Sequence, residues 1–100
     1  MPHNFDPNQN YHSFIDNKTE PLVFVHGVGL DQKMWDSQIN SLSDHSIITY
    51  DLLGHGKTPY NKEEVTLNDF SDQLEYLLKF LKIDKINLVG FSLGSLIALD

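Results

Sequence analysis

The chain has 100 residues, a formal net charge of −7 and no cysteine. Its length allows at most one small domain. The acidic balance leaves no basic footprint for nucleic acid, and the missing cysteines exclude disulfides, thiolate metal sites and a cysteine nucleophile.

Residues 1–20 are polar and rich in Asn, with Phe14-Ile15 the only hint of a short strand. Met1-Pro2-His3-Asn4-Phe5-Asp6 has neither a basic start nor a long apolar core. A signal peptide is therefore not expected, no run is long enough to cross a bilayer, and a cytoplasmic location is the default expectation. Asp16-Asn17-Lys18-Thr19-Glu20 reads as a turn from its polar composition.

Pro21-Leu22-Val23-Phe24-Val25 is a continuous apolar run that ends at His26-Gly27-Val28-Gly29. Such a run suits a strand covered on both faces, as in a parallel sheet. Asp31 is placed to cap a helix whose apolar stripe is Trp35, Ile39 and Leu42. Ile47-Ile48-Thr49-Tyr50 is a second strand, and it enters the turn Asp51-Leu52-Leu53-Gly54-His55-Gly56. Thr66 and Asp69 have capping-box spacing ahead of a stripe of Phe70, Leu74, Leu77, Leu78 and Leu81. Ile86-Asn87-Leu88-Val89 is a third strand. Strands alternating with helices argue for right-handed crossovers and a parallel sheet.

Gly90-Phe91-Ser92-Leu93-Gly94 follows that third strand, and the helix-compatible Ser95-Leu96-Ile97-Ala98-Leu99 comes next. Strand, sharp turn and helix is the order required of a G-x-S-x-G nucleophile elbow. The turn makes the serine Oγ stand proud of the sheet, and strand and helix pass too close for a Cβ at Gly90 or Gly94. Taken alone the five residues are a weak signal, because a helix-capping serine is common. Two further motifs upstream, in order, strengthen it. With the His-Gly-x-Gly loop at 26–29 and the D-x-x-G-x-G turn at 51–56, residues 21–100 resemble the amino-terminal part of an α/β-hydrolase, within the single-domain esterase, lactonase and carbon–carbon hydrolase branch.

The resemblance implies a three-layer α/β/α fold with a mostly parallel sheet, here cut short after the elbow, and an opening antiparallel hairpin in residues 1–20. It implies a serine hydrolase acting on a small-molecule ester, lactone or related carbonyl substrate through an acyl-enzyme at Ser92. A serine hydroxyl is a weak nucleophile until a base activates it. The oxyanion donors would be the backbone amides of Leu93 and Val28. Gly27 and Gly29 would let the loop fold toward the elbow, and Phe91 and Val28 would stand near the substrate. In the family the triad acid and then the histidine follow the serine, so both are expected beyond residue 100. His26 and His55 are accordingly read as structural hydrogen-bonders, and Asp51 as the organiser of the glycine turn. His3, His12 and His45 lie in polar stretches and are expected to face solvent.

Three alternatives are weaker. Gly54-His55-Gly56-Lys57-Thr58 ends like a phosphate-binding loop, but the pattern needs glycine where Asp51 stands, and Pro59 follows where a helix should begin. Haloalkane dehalogenases and epoxide hydrolases share the broad resemblance but carry aspartate at the elbow. A non-catalytic α/β-hydrolase-like binding protein would keep the pocket without a working triad. No His, Asp and Glu grouping has metal-ligand spacing, so no metal or cofactor is expected. Oligomeric state has no signature in this sequence. Asp100 has no helix-stop signal around it. A truncated, inactive piece with an open strand edge, prone to aggregate when expressed alone, is the expectation.

Overall fold

Leu22–Val25, four apolar residues without a charge, form an interior strand of a five-stranded sheet. The computed structural model describes residues 4–27, 30–42, 44–59 and 66–90. In chain order the elements are β1 (Asn4–Phe5), β2 (Tyr11–Ile15), β3 (Leu22–Val25), a 3-10 turn (Gln32–Trp35) running into α1 (Asp36–Asn40), β4 (Ile47–Tyr50), α2 (Leu67–Phe80) and β5 (Asn87–Gly90). Their order across the sheet is β1-β2-β4-β3-β5. The sheet is mixed. Strands β4, β3 and β5 run parallel, whereas β1 pairs with β2, and β2 with β4, antiparallel. The parallel strands are separated by helix-bearing crossovers, while β1 and β2 need only a short turn.

Side chains alternate across each strand, and the apolar ones divide between two faces. Val23 and Val25 of β3 and Ile48 and Tyr50 of β4 pack with Phe70, Leu74 and Leu77 of α2. Phe24 and Ile47 point the other way, toward Trp35 and Ile39, with the Phe24 and Trp35 rings edge to face at 5.0 Å. Helices therefore cover both faces, which gives the three layers expected from the sequence. Both faces of β4 are buried along its whole length. Burying one such side chain contributes roughly 1.5–3 kcal/mol.

The helix ends follow their local chemistry. The Asp31 side chain accepts from the Lys33 amide and caps the 3-10 turn. The Thr66 side chain accepts from the Asp69 amide, and the Asp69 carboxylate accepts from the Thr66 amide, closing a reciprocal cap on α2. At the far end of α2 the amide of Ile83 reaches the carbonyl of Leu78, and that of Lys82 reaches Lys79, with Lys82 left-handed at φ 61°. That pair of bonds is a Schellman stop. No described helix is long and apolar enough to cross a membrane.

Candidate active site

β3 and β5 are neighbours in parallel register, with Leu22 opposite Asn87 and Val25 opposite Gly90. Their carboxyl ends therefore finish side by side, at a strand spacing of about 4.8 Å. Gly90 closes β5 at the mouth of the predicted elbow, and His26-Gly27 leaves β3 at the mouth of the predicted oxyanion loop. Open α/β sheets bind ligands at this end of their parallel strands. The chain leaving β3 passes to the α1 face and the chain leaving β4 to the α2 face. The fork between those two strand ends is filled by buried polar side chains.

His26 is fully buried. Its Nε2 accepts from the Leu52 amide at 2.9 Å, so the proton sits on Nδ1, which donates to the Gly27 carbonyl at 2.8 Å. Burial holds the imidazole below the ordinary histidine range. The Gly27 carbonyl opposes that shift, nearby His55 reinforces it, and Asp51 and Asp31 oppose it. The His55 ring lies 5.3 Å from that of His26, and its Nδ1 is 3.0 Å from the Leu53 carbonyl. With both ring nitrogens engaged and no exposure, His26 is a structural link between β3 and the turn after β4, as the family resemblance implied.

Asp51 organises that turn. Its Oδ1 accepts from the Gln32 amide and its Oδ2 from the Lys57 amide, each at 2.9 Å. The carboxylate thus holds the first turn of the 3-10 segment and the end of its own glycine loop together. Gly56 has φ +50°, and a Cβ there would collide with the Asp51 carboxylate. Only glycine combines that backbone with that approach. Gln32 extends the network: its Oε1 accepts from Thr49 Oγ1 at 2.7 Å and its Nε2 donates to the Tyr11 carbonyl at 3.3 Å. The Tyr11 amide in turn donates to Thr58 Oγ1 at 2.9 Å. On the α2 side, Gln73 grips the backbone at Asp51 and Leu53.

Of the residues singled out in the sequence, His26, Gly27 and Gly90 converge at these strand ends. Val28, Gly29, Phe91, Ser92, Leu93 and Gly94 lie outside the described residues. The expectation for His12 is corrected. It is buried in β2, with Nδ1 2.9 Å from the Asn10 carbonyl and its ring edge-on to Phe80 at 6.0 Å. A polar neighbourhood in sequence misled here, because β2 is flanked by β1 and β4 and its inward positions face α2. His45 is exposed as expected.

Sequence reasoning passed over Gln32 and Gln73. Both left a signal. Gln73 stands three residues after Phe70 and four before Leu77, on the buried face of α2. Gln32 precedes Trp35 by three and Ile39 by seven. A glutamine at an apolar position of a helical stripe marks a buried hydrogen-bonder.

A family model described as alpha/beta hydrolase fold matches residues 20–99. The chain belongs to the α/β-hydrolase fold family. It is 37% identical over 91 residues to the (E)-2-((N-methylformamido)methylene)succinate hydrolase of Acinetobacter baylyi, covering 90% of this chain and 35% of that one. It is 35% identical over 79 residues to 3-oxoadipate enol-lactonase 1 of the same organism, covering 78% of this chain and 29% of the relative. Among solved structures, one from work on carboxylesterases of the thaumarchaeon Nitrososphaera gargenis superposes with a TM-score of 0.81 at 33% identity, over 97% of this chain and 38% of that chain. The chain thus spans about a third of the length of the relatives it matches.

Proposed function

We propose that this chain is the amino-terminal part of a serine hydrolase that cleaves a small carboxylic ester, lactone or related carbonyl substrate. The observation that carries the reading is the register of Val25 opposite Gly90. It sets the exits of β3 and β5 side by side. Those exits lead into the two segments whose sequences read as oxyanion loop and nucleophile elbow. The curated relatives support the substrate class, since one is a hydrolase of a substituted succinate and another an enol-lactonase.

In this reading Ser92 Oγ attacks the substrate carbonyl carbon, and its proton passes to a histidine in the remainder of the protein. The carbonyl oxygen becomes an oxyanion held by the amides of Val28 and Leu93. Collapse expels the alcohol or enol and leaves an acyl-serine, which water then hydrolyses to the acid. Preorganised amides of this kind each contribute on the order of a hundredfold or more to turnover. His26 cannot serve as the base, because both ring nitrogens are committed and water cannot reach it.

A fluorophosphonate probe tests the assignment on the full-length protein. Wild type is expected to label at Ser92 and to hydrolyse an activated ester, and Ser92→Ala to do neither while keeping its circular dichroism spectrum. A correctly folded wild type that neither labels nor turns over would favour a binding protein that keeps the fold without the chemistry.

A further inference from the structure

Gln73 occupies a place where a leucine would pack. It lies on the buried face of α2 between Phe70 and Leu77 and is 5% exposed. Its carboxamide instead makes three hydrogen bonds to two segments, the loop before β2 and the turn after β4. Nε2 donates to Asn10 Oδ1 at 3.0 Å and to the Asp51 carbonyl at 2.9 Å, and Oε1 accepts from the Leu53 amide at 3.1 Å. Asn10 is itself fixed, since its side chain donates to Asp6 Oδ2 at 2.7 Å. The glutamine therefore grips the chain on both sides of Leu52.

Leu52 is the next link. Its amide donates to His26 Nε2 at 2.9 Å, and His26 Nδ1 donates to the Gly27 carbonyl at 2.8 Å. The Leu30 amide reaches the same carbonyl at 3.2 Å. A continuous run of hydrogen bonds thus leads from α2, through the exit of β4, to the carbonyl that ends β3's extension. A peptide unit is planar, so a bond that orients a carbonyl also orients the amide joined to it. Low-dielectric surroundings strengthen each bond in such a buried series.

We infer that Gln73 is a positioning residue: by holding Leu52 against His26 it sets the plane of the Gly27 peptide, and with it the amide assigned above as an oxyanion donor. The inference rests on the serine-hydrolase reading for its effect on catalysis, but the link from Gln73 to His26 stands apart from it. Gln73 touches no reacting atom. Its influence is on the transition state, where the donor must point at the developing charge, more than on substrate binding. Misplacing a catalytic group by about 1 Å can cost on the order of a hundredfold in rate.

The test compares full-length wild type with Gln73→Leu, Gln73→Met and Thr66→Ala, at a temperature where circular dichroism shows each folded. Gln73→Leu keeps the volume and removes all three bonds. Gln73→Met also removes all three bonds but keeps the unbranched shape of glutamine, so it serves where the leucine variant does not fold. Thr66→Ala removes the cap of the same helix and leaves the bonded run intact, which makes it the control for destabilisation alone. Each is assayed with an activated ester, and the His26 ring nitrogens are followed by long-range proton–nitrogen NMR. The expected result for Gln73→Leu is a fall in kcat of roughly tenfold to a hundredfold with KM held within about twofold, together with displaced His26 nitrogen resonances. Gln73→Met should match it, and Thr66→Ala should keep both kcat and the His26 resonances. Unchanged His26 resonances in a folded Gln73 variant would overturn the inference, as would equal losses of kcat in Gln73→Leu and Thr66→Ala. A wild type that neither turns over ester nor labels would count against the hydrolase reading, and the His26 resonances would then decide the structural link on their own.

Discussion

β3 and β4 are closed at both ends by hydrogen-bonding polar side chains, and the two ends are built differently. At the amino-terminal end Ser46 Oγ accepts from the amides of Asn17 and Thr19 at 2.8 and 3.2 Å, and Thr19 Oγ1 accepts from the Ser46 amide at 2.9 Å. Two short hydroxyl side chains seal one turn against one strand. At the carboxyl end Asp51, His26, Gln32 and Gln73 come from four different segments. Each of these side chains carries two polar atoms that face different partners. A hydroxyl can satisfy a nearby amide, but only a longer planar group can span two strands and fix the peptide planes at both of its ends. The amino-terminal end is therefore closed, while the carboxyl end is closed and also oriented. The predicted catalytic segments both leave from the oriented end.

Perturbing each end separately sharpens this contrast. The largest effect is expected for Gly56→Ala, which drives a methyl into the Asp51 carboxylate at a backbone φ of +50°. Displacing that carboxylate weakens its bonds to the Gln32 and Lys57 amides. The expected cost is about 2–4 kcal/mol in urea unfolding of the full-length protein, with a loss of ester turnover. A wild-type unfolding midpoint in this variant would mean that the turn yields easily and that the carboxyl end is not stiff.

Ser46→Ala is the matching change at the other end. It removes the acceptor shared by the Asn17 and Thr19 amides and should cost about 1 kcal/mol, while kcat at a permissive temperature stays at the wild-type value. If kcat falls in parallel with stability, the two ends are not functionally distinct.

The smallest effect concerns pH. Burial depresses the His26 pKa in the folded protein below the ordinary histidine value of 6.5. Between the folded and unfolded pKa values the unfolded chain binds one proton more, so stability rises with pH across that interval. The contribution is fully present above about pH 6.5 and is lost as the pH falls toward the folded pKa. Unfolding midpoints of wild type and His26→Asn at pH 7 and pH 5.5 isolate this term, because other acidic groups act on both proteins alike. The variant should show the shallower pH dependence; equal slopes would mean that His26 is not held neutral by its surroundings.

Much of the architecture was legible because its causes are local. The spacing of Thr66 and Asp69 announced a reciprocal cap, Asp31 announced the start of a helix whose first turn is 3-10, and runs of β-branched and aromatic residues announced β3 and β4. The roles of His26 and Asp51 were legible only through the family resemblance, which puts the triad acid and histidine further along the chain and leaves these two as hydrogen-bonding supports. His12 was misread because alternation in β2 is obscured by serine and histidine at its buried positions. Gln73 was passed over because its partner Asn10 lies 63 residues away in the chain.

Strand and helix periodicity, helix caps and the order of the glycine motifs depend on neighbours within a few residues, so a linear reading reaches them, and with them the family. Which polar side chains are buried, and which distant amides they hold, depends on contacts formed only when the sheet assembles. The placement of β5 beside β3, with Gly90 against Val25, is of that second kind. Sheet order follows from how the helices pack on the two faces, and no local pattern encodes it.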